Sequence, residues 1–281
     1  MLSYRHGFHA GNHADVLKHF IMLQLLDYLT AKNKPLWYID THAGAGRYSL
    51  REGYATKTTE FQGGIGRLWQ AQDLPQPLAD YVTLVREFNP DGQLGYYPGS
   101  PLLADRRLRN DDRLHLFELH PSDYTLLQAN FPAAGKRVKL YHEDGVKGIK
   151  ALLPPLPRRG LILIDPPYEL DSEYLKVVRM LEDCLVRFAT GVYAVWFPLL
   201  QERAARLLPQ QLQDVAPRWL SVTLQVMAPL RSGHGMHGSG VLIINPPWTL
   251  LPTLNQTMGY LTNLLGHDEG AGFVIDSRGL S

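Results

Sequence analysis

The sequence predicts an α/β fold built on a doubly wound, mostly parallel sheet of seven strands. Apolar runs of strand length recur at residues 36–39, 114–117, 138–141, 161–164, 192–197, 222–227 and 241–244. Segments with helical spacing lie between most of these runs, at residues 121–130, 145–153, 172–188 and 201–212. Strands that alternate with helices are typical of a parallel sheet covered on both faces.

The last two predicted strands are joined only by a loop rich in glycine and histidine, residues 233–240. Such a short link fits a hairpin, whereas a parallel crossover needs a longer one. We therefore expect the seventh strand to run antiparallel to the others. Before the first strand, we predict a helix that starts near Asn12 and carries Leu17, Ile21 and Leu25 on one face.

Composition predicts one folded cytoplasmic protein that spans residues 1–281. The hydrophobic content of 45% is enough for a substantial core. Cys184 is the single cysteine, so a disulfide framework is excluded, and a reducing compartment fits. The opening residues do not resemble a secretory leader, and Gln24 and Asp27 interrupt the apolar stretch 20–29. We therefore expect neither export nor membrane insertion.

Charge is nearly balanced, with 28 Lys and Arg residues against 27 Asp and Glu residues. A polyanionic partner would therefore have to meet local patches and not the whole surface. Candidate basic clusters lie at residues 106–109, 136–139 and 158–159. The more ordinary interpretation of each cluster is a solvated face between two elements.

The first predicted strand ends in a glycine turn, D-T-H-A-G-A-G at residues 40–46. In open α/β sheets, ligands bind beyond the carboxyl ends of the strands, where glycine lets the backbone approach them closely. Gly44 and Gly46 suit this position, although a glycine turn can also be only a tight turn.

Acidic residues close the first three predicted strands, at Asp40, Glu118 and the E-D-G of residues 143–145. A carboxylate after the second strand can accept both hydroxyls of a ribose, and one after the third can accept an adenine amino group. An anionic rim suits a sulfonium cation better than a pyrophosphate, and the full G-x-G-x-x-G is missing. The sequence therefore favours S-adenosylmethionine over NAD.

The distance along the chain from Gly46 to Glu118 predicts an insertion at residues 50–98. In an uninterrupted dinucleotide-type unit, the corresponding acid lies about 20 residues beyond the glycines, and Glu118 lies much further. Helical patterns within the insertion predict a small helical subdomain that shapes substrate access. The crossover helix is expected to begin with Ser100 as its N-cap and Pro101 as its first residue.

The fourth predicted strand ends in Asp165-Pro166-Pro167-Tyr168. The Asp165 carboxylate can accept one N–H of a planar amino group, and the Pro166 carbonyl, whose neighbour has no N–H, can accept the other. Tyr168 can stack on the ring of the base. This pattern predicts in-line transfer of a methyl group to an exocyclic amine, with Asp165 as proton acceptor and without a metal.

A similar tetrapeptide, N-P-P-W at residues 245–248, follows the seventh predicted strand. Asp165 should emerge on the same edge as Gly44, because the first and fourth strands are parallel neighbours. Asn245 should emerge on the opposite edge. We therefore assign N-P-P-W a structural role, since Pro-Pro is also a common way to end a strand.

Residues 1–31 form a predicted arm and helix over the active site, dense in histidine and charged residues. One interpretation is a flap with Tyr4 and His6 near the target base and Lys18 and His19 at the cofactor. The other is a polar arm that caps the sheet, and spacing alone does not decide between them. The histidines lack the spacing of a zinc site.

Several motifs together resemble the RlmJ family, the bacterial 23S ribosomal RNA adenine N6-methyltransferases. They are M-L-S-Y-R-H-x-F-H-A-G-N-H-A-D-V-L-K-H, D-T-H-A-G-A-G-R-Y, Y-P-G-S-P, F-E-L-H, H-E-D-G and I-D-P-P-Y. The resemblance spans nearly the whole chain, and its N-terminal motif is much more specific than D-P-P-Y. It implies a Rossmann-like class I fold with a helical insert, S-adenosylmethionine as donor and S-adenosylhomocysteine as product. It also implies adenine 2030 of free or partly assembled 23S ribosomal RNA as the target.

The resemblance also implies roles for particular residues. It implies cofactor contacts at His19, His42, Ser100, Glu118, Asp144 and Gly145. Asp165 would contact the cofactor and act in catalysis, assisted by Tyr4, His6 and Lys18. No membrane and no obligate protein partner are implied, and we expect a monomer.

Rival interpretations remain open at the level of sequence. Guanine N2-methyltransferases of ribosomal RNA also close the fourth strand with D-P-P-Y or D-P-P-F. DNA adenine methyltransferases usually carry a larger recognition region than this insert supplies. A non-catalytic RNA-binding assembly factor on the same scaffold is the third alternative.

Overall fold

The structure is a computed structural model that describes residues 5–230, 233 and 235–280. Its α-helices are His13–Thr30 (α1), Ala55–Thr58 (α2), Ile65–Gln70 (α3), Gln76–Arg86 (α4), Ser100–Arg107 (α5), Pro121–Asn130 (α6), Gly145–Gly148 (α7), Asp171–Arg187 (α8), Arg203–Asp214 (α9) and Leu250–Leu265 (α10). Its strands are Trp37–Asp40 (β1), Arg47–Ser49 (β2), Tyr96–Pro98 (β3), Arg113–Phe117 (β4), Val138–Tyr141 (β5), Gly160–Ile164 (β6), Val192–Leu199 (β7), Trp219–Gln225 (β8), Gly238–Ile244 (β9) and Gly272–Arg278 (β10). Short 3-10 helices occupy His6–Phe8, Glu60–Gly63 and Ile149–Leu152.

Eight strands of the described ranges form one sheet in the order β10-β8-β9-β7-β6-β1-β4-β5. The strands from β7 to β5 in this order pair in parallel. Strand β9 lies between β7 and β8 and pairs antiparallel with both. This arrangement confirms the predicted Rossmann-like class I fold, including the hairpin and the antiparallel seventh strand.

The sheet has one strand more than predicted, because β10 adds to its edge beside β8. Both faces of β10 are largely exposed, so its sequence lacks the apolar alternation that would predict a strand. Helix α10 was also not predicted, although its buried Leu250, Leu254, Met258 and Leu261 have helical spacing. A separate two-stranded sheet, β2 with β3, is the third unpredicted feature.

Side chains of the central strands alternate between two apolar layers. In β6, Leu161 and Leu163 pack in the layer that contains α1, α5 and α10. Ile162 and Ile164 pack in the opposite layer with α8 and α9, where the thiol of Cys184 is completely buried. Burial on both faces explains why the parallel strands are continuous apolar runs.

Helix α1 is buried on nearly every side. Asn12 caps it, because its Oδ1 accepts hydrogen bonds from the backbone of Ala14 and Asp15, both 3.0 Å away. The helix lies between the sheet and helices α4 and α5, which leaves no broad solvent-facing stripe. The predicted start is confirmed, and Leu17, Ile21 and Leu25 are buried along one face as predicted, although burial extends around the rest of the helix. Within the described ranges, no helix is long and apolar enough to cross a bilayer.

Helices α3 and α4 lie within the predicted insertion and close to the predicted helical segments. The two ends of the insertion lie next to each other, because β2 pairs with β3 and the Leu50 N–H donates a hydrogen bond to the Gly95 carbonyl at 2.8 Å. Buried residues of the insertion, including Ile65 and Tyr81, pack in the same apolar layer as α1. The subdomain bounds of 50–98 stay a prediction.

The crossover helix α5 begins one residue earlier than predicted. Gly99 is its N-cap and Ser100 is its first residue. The Ser100 hydroxyl is instead used in the interior, where it donates a 2.7 Å hydrogen bond to Asp40. A predicted capping residue therefore helps to bind the end of β1.

Each predicted basic cluster contributes an arginine to structural contacts at the amino ends of the parallel strands. Arg109 donates to the carbonyls of Thr30, Lys32 and Lys34 at 3.1, 2.6 and 2.7 Å, and it ion-pairs with Asp112. Arg137 pairs with Asp105, and Arg159 donates to the Leu29 carbonyl at 2.6 Å. Through these contacts, the arginines stabilise the carboxyl end of α1 and the loop that follows it.

We predict that Arg109→Gln lowers the free energy of unfolding by about 2 kcal/mol, because several charge-assisted hydrogen bonds are lost together. Arg106→Gln is the matched control, since Arg106 is exposed and only lies over the Phe88 ring. It should cost less than about 1 kcal/mol. Urea denaturation of both variants checks this, and equal losses would contradict the structural role of Arg109.

Candidate active site

A cavity of about 920 Å³ lies beyond the carboxyl ends of the parallel strands. Pairing of β1 with β6 places the glycine turn beside the end of β6, and the Thr41 N–H donates to the Leu163 carbonyl at 3.1 Å. The predicted site residues that line the cavity are His6, Lys18, His19, His42, Gly44, Ser100, Glu118, Asp144, Gly145, Asp165, Pro166 and Tyr168. Tyr4 lies outside the described residues. The glycine turn and Asp165 therefore share one rim, as predicted.

The glycine turn is held by side chains on either side of it. Gly44 has a φ of 62°, which a residue with a side chain rarely adopts, and a Cβ there would lie 2.2 Å from the Tyr48 Oη. The Gly44 N–H donates to Glu118 at 2.8 Å, and the Ala45 N–H donates to the Tyr48 hydroxyl at 3.1 Å. Only glycine fits at position 44.

Glu118 is bound by two backbone donors at the end of β4. Its Oε2 accepts from Gly44 and its Oε1 accepts from His120 at 2.6 Å. Burial raises its pKa to about 7, although both backbone hydrogen bonds act against that shift. The carboxylate is therefore rigid, and its remaining lone pairs face the cavity.

The three predicted acids do not all reach the cavity. Asp40 is completely buried below it and accepts from Tyr38 at 2.8 Å and from Ser100. Glu143 is exposed and does not line the cavity. The three acids therefore lie at one edge of the sheet, as predicted, but Asp40 is taken up inside the core and does not reach the cavity. Glu118 and Asp144 line the cavity.

Asp144 caps α7, since its Oδ1 accepts a 3.0 Å hydrogen bond from the Val146 N–H. Gly145 follows it and is buried against the end of β1. A Cβ on Gly145 would lie 2.2 Å from the Thr41 carbonyl oxygen. The close approach of α7 to the glycine turn therefore requires glycine at this position.

Two histidines on the cavity wall are neutral. Burial lowers the pKa of His19 to about 3 and that of His42 to about 4. The His19 Nδ1 lies 2.7 Å from the Tyr97 Oη, and the His42 Nδ1 lies 2.8 Å from the Thr41 Oγ1. Both side chains are thus oriented as uncharged hydrogen-bonding groups.

A buried charge network links α1 to the end of β6. Lys18 forms ion pairs with Asp165 and with Asp15, the latter at 2.8 Å, and it is 4% exposed. Burial by itself lowers the pKa of Lys18, but the two carboxylates outweigh burial and raise it. Burial raises the pKa of Asp165, and Lys18 opposes that rise. Lys18 is therefore a permanent cation between two carboxylates.

Asp165 and Pro166 present open acceptors to the cavity. Lys18 contacts Oδ2 of Asp165, whereas Oδ1 accepts no hydrogen bond from the described residues. The Pro166 carbonyl likewise has no donor among them. These two acceptors are the groups predicted to bind an amino group.

In N-P-P-W the corresponding groups are already used. The Asn245 side-chain amide donates to the carbonyls of Ala189 and Gly191, each at 2.8 Å. The Pro246 carbonyl accepts from Arg218 at 3.1 Å. Tyr193 pairs with Ile244 in antiparallel register, so Asn245 lies at the amino end of β7, opposite the cavity. The predicted edge is confirmed.

Tyr168 is packed more tightly than a free stacking platform. Its ring stacks on Tyr174 with centroids 4.6 Å apart, and its hydroxyl donates to the Trp196 carbonyl at 2.9 Å. It is 7% exposed and still lines the cavity. Stacking of Tyr168 on a base stays a prediction.

The N-terminal arm, residues 5–12, lies on the cavity wall. His6 contacts the Tyr48 ring edge at 5.2 Å between centroids and Asp15 at 3.0 Å, and Arg5 ion-pairs with Asp123 at 3.0 Å. His6 therefore lines the cavity, and the flap interpretation stays a prediction. The described residues include no group of three or more His, Cys, Asp or Glu side chains arranged to hold a metal.

Sequence reasoning missed three residues of the site. Asp15 lies on the same face of α1 as Lys18 and His19, and this helical spacing was the available signal. Tyr97 positions His19 and comes from β3, whose short sequence carries no strand signal. Trp196 lies near the end of β7, beside the D-P-P-Y strand, and its ring centroid is 6.0 Å from the Lys18 Nζ.

The comparisons with known proteins agree over most of the chain. The family described as "Ribosomal RNA large subunit methyltransferase D, RlmJ" matches residues 33–275. Ribosomal RNA large subunit methyltransferase J of Escherichia coli K12 is 46% identical over 265 residues, which cover 94% of each chain. The protein of the same name from Haemophilus influenzae is 46% identical over 266 residues, also 94% of each. A crystal structure of a Legionella pneumophila protein is 37% identical, has a TM-score of 0.89, and is matched over 96% of this chain and 99% of that chain.

Because the pKa of Glu118 rises from 4.5 to about 7 on folding, the folded state binds the proton more tightly, and this group makes stability fall as pH rises through that window. In Glu118→Gln this decline is absent. We predict that the unfolding free energy of the variant, relative to wild type, increases by up to about 3 kcal/mol between pH 5 and pH 8.

The unfolding free energies of variant and wild type are measured by denaturation at pH 5 and at pH 8. Because the prediction concerns the change between the two pH values, the pH-independent cost of removing the acceptor cancels. Glu143→Gln is the control, since Glu143 is exposed and outside the cavity. A Glu118→Gln difference that stays constant with pH would contradict the shift.

Proposed function

The chain belongs to the RlmJ family of ribosomal RNA large subunit methyltransferases, and we propose from this premise that it methylates N6 of an adenine in 23S ribosomal RNA with S-adenosylmethionine as donor. The observation that carries the proposal is the pair of open acceptors, Asp165 Oδ1 and the Pro166 carbonyl, on the rim shared with the glycine turn. The two acceptors match the two N–H groups of an exocyclic amine.

The cavity fits the donor in size and in chemistry. Its volume of about 920 Å³ lies at the upper end of ordinary ligand pockets. Glu118, held by two backbone donors, retains lone pairs for ribose hydroxyls. Asp144 and Gly145 would meet the adenine ring, and the neutral His19 and His42 would hydrogen-bond the rest of the cofactor. When bound, S-adenosylmethionine supplies a methyl group activated by its sulfonium charge.

Asp165 and Pro166 would perform the alignment step. Hydrogen bonds to both N–H groups rotate the amine so that its lone pair leaves conjugation with the ring and points at the methyl group. Lys18 opposes the rise that burial causes in the pKa of Asp165, and it occupies only Oδ2. The N–C bond would form as the bond between the methyl group and the sulfur breaks, with S-adenosylhomocysteine as the leaving group. The amine would then lose one proton, which Asp165 would accept and return to solvent. Tyr4, His6 and Tyr168 are proposed to hold the base.

The target base must leave its stack to reach this rim. A base in a loop or bulge of RNA does so at lower cost than one in a duplex, which favours free or partly assembled ribosomal RNA as substrate. Adenine 2030 is the target that we propose from the family. A bacterial cytoplasmic location follows from such a substrate, and we propose that the enzyme acts as a monomer without metal.

Basic side chains on α7 and α8 suit the RNA backbone. Lys147, Lys176 and Arg179 line the mouth of the cavity and are exposed. Lys176 and Arg179 have no ion-pair partner within the described part of the chain. These two cations on the cavity lining are available for phosphate groups.

We predict that Asp165→Asn reduces methyl incorporation into protein-free 23S RNA by at least about 100-fold, because the charge that aligns and deprotonates the amine is removed. Trp248→Ala is the matched control from the second tetrapeptide. Trp248 is 73% exposed on the opposite edge, so this variant should retain wild-type rate.

The same assay tests the proposed function through its product. Digestion of RNA labelled by the wild-type enzyme, followed by mass analysis, should yield N6-methyladenosine. Labelled guanosine, or equal labelling of duplex DNA, would overturn the adenine RNA assignment. Full activity in Asp165→Asn would instead remove Asp165 from the chemistry.

We further predict that Lys176→Ala with Arg179→Ala weakens RNA use without changing donor affinity. The slope of log(kcat/KM) for RNA against log salt should become shallower by about 1 to 1.5, because two phosphate contacts are lost. Lys32→Ala with Lys34→Ala is the control, since both side chains are exposed at the amino edge of the sheet. An unchanged slope in the first variant would place the RNA elsewhere.

A further inference from the structure

Asp15 is a buried carboxylate on which three parts of the chain converge. Its Oδ2 accepts a hydrogen bond from the Gly11 N–H at 2.9 Å and lies 3.0 Å from the His6 Nε2. Its Oδ1 lies 2.8 Å from the Lys18 Nζ. The side chain is 1% exposed, so each of these contacts is shielded from solvent.

The position of Asp15 in the first turn of α1 stabilises its negative charge. The Asn12 cap accepts the Asp15 N–H, and the free N–H groups of a helix start favour a carboxylate. Burial alone would raise the pKa of Asp15, but His6 and Lys18 outweigh burial, and the pKa is well below its usual range. Asp15 therefore stays ionised and keeps its hold on Lys18.

A second counter-ion limits what Lys18 can do. A lysine side chain has a flexible stem and three donors, so an ammonium with Asp165 as its sole partner is free to move across both carboxylate oxygens. Asp15 holds the ammonium from the other side, and in the structure Lys18 contacts only Oδ2. The oxygen that would receive the amine is thereby left open.

We propose that Asp15 is a positioning residue, which restricts Lys18 to one oxygen of Asp165 and holds His6 on the cavity wall. This inference rests on the proposed methyl transfer, because it assigns a task to the open Oδ1. In this proposal Asp15 does not contact the reacting amine. It acts through Lys18 and His6.

Removal of the Asp15 charge has a defined electrostatic result. Among the described residues, the ionisable groups near Asp165 are Lys18 and Asp15 on α1, His6 in the arm, Tyr168 beside it, and Tyr38 and Asp40 on β1. Asp15 raises the pKa of Asp165 directly, because it is a nearby negative charge. It is also the second carboxylate that pairs with Lys18, so the ammonium is not held by Asp165 alone. In Asp15→Asn both effects vanish, so the pKa of Asp165 falls and its ability to accept a proton weakens.

The experiment compares kcat, KM and the pH profile of kcat/KM for Asp15→Asn with those of wild type. We expect kcat to fall by about tenfold to a hundredfold. We also expect the acid limb of the profile to move to lower pH by about one unit. Asp27→Asn is the matched control on the same helix. Asp27 pairs with Arg107 at 3.5 Å far from the cavity, and this variant should match wild type.

If kcat/KM falls by the same factor at every pH and the acid limb stays at the wild-type pH, Asp15 only supports folding. That result would overturn the proposal. If Asp15→Asn does not fold, Asp15→Glu keeps the charge but displaces it. That variant should lose kcat while retaining the wild-type acid limb, and an unchanged kcat would overturn the proposal.

Failure of the proposed function gives a different pattern. In that case the wild-type enzyme labels no adenine. The carboxyl titration of Asp165, followed by NMR in wild type and in Asp15→Asn, then still tests the electrostatic link, because it needs no substrate. An unchanged Asp165 titration would overturn the inference on its own.

Discussion

The ammonium of Lys18, held between the carboxylates of Asp15 and Asp165, is the interaction on which the site depends. It joins the helix that precedes the sheet to the strand end that carries the acceptors. A lone charge at this depth would be strongly disfavoured, and loss of one member of such a pair typically costs about 3 to 5 kcal/mol. Helix α1, which is buried on nearly all sides, holds this cation in the interior.

The two Pro-Pro tetrapeptides show how strand direction decides chemistry. Both end apolar strands, and the letters differ only at their first and last positions. In N-P-P-W the side-chain amide and the Pro246 carbonyl are consumed by neighbouring groups at the amino edge. In D-P-P-Y the corresponding carbonyl and one carboxylate oxygen accept no hydrogen bond from the described residues. Unsatisfied acceptors on a cavity wall distinguish a binding motif from a strand terminator.

The sequence predicted the sheet well because its strands are buried on both faces and are separated by helices. It failed for β10, where exposure on both faces removes the apolar pattern. Sequence reasoning placed Gly44, Glu118 and Asp165 at one rim, where the structure also has them, because parallel strands fix which ends meet. It did not show that Asp40 lies below the cavity. That outcome depends on Ser100 of α5 and on Tyr38 of the same strand, which both donate hydrogen bonds to Asp40. Sequence reasoning likewise did not predict the hydrogen bonds from the arginines of the basic clusters to backbone carbonyls, because only the fold brings those carbonyls near.

The completely buried thiol of Cys184 has a practical consequence for watching this enzyme at work. Burial raises the pKa of that thiol to about 12, so almost no thiolate exists at neutral pH to react with a maleimide. No other cysteine is present in the sequence. A cysteine introduced on the arm or on the insertion would therefore be the sole reactive handle. Fluorophores or spin labels attached there would report motions of those segments in otherwise native protein.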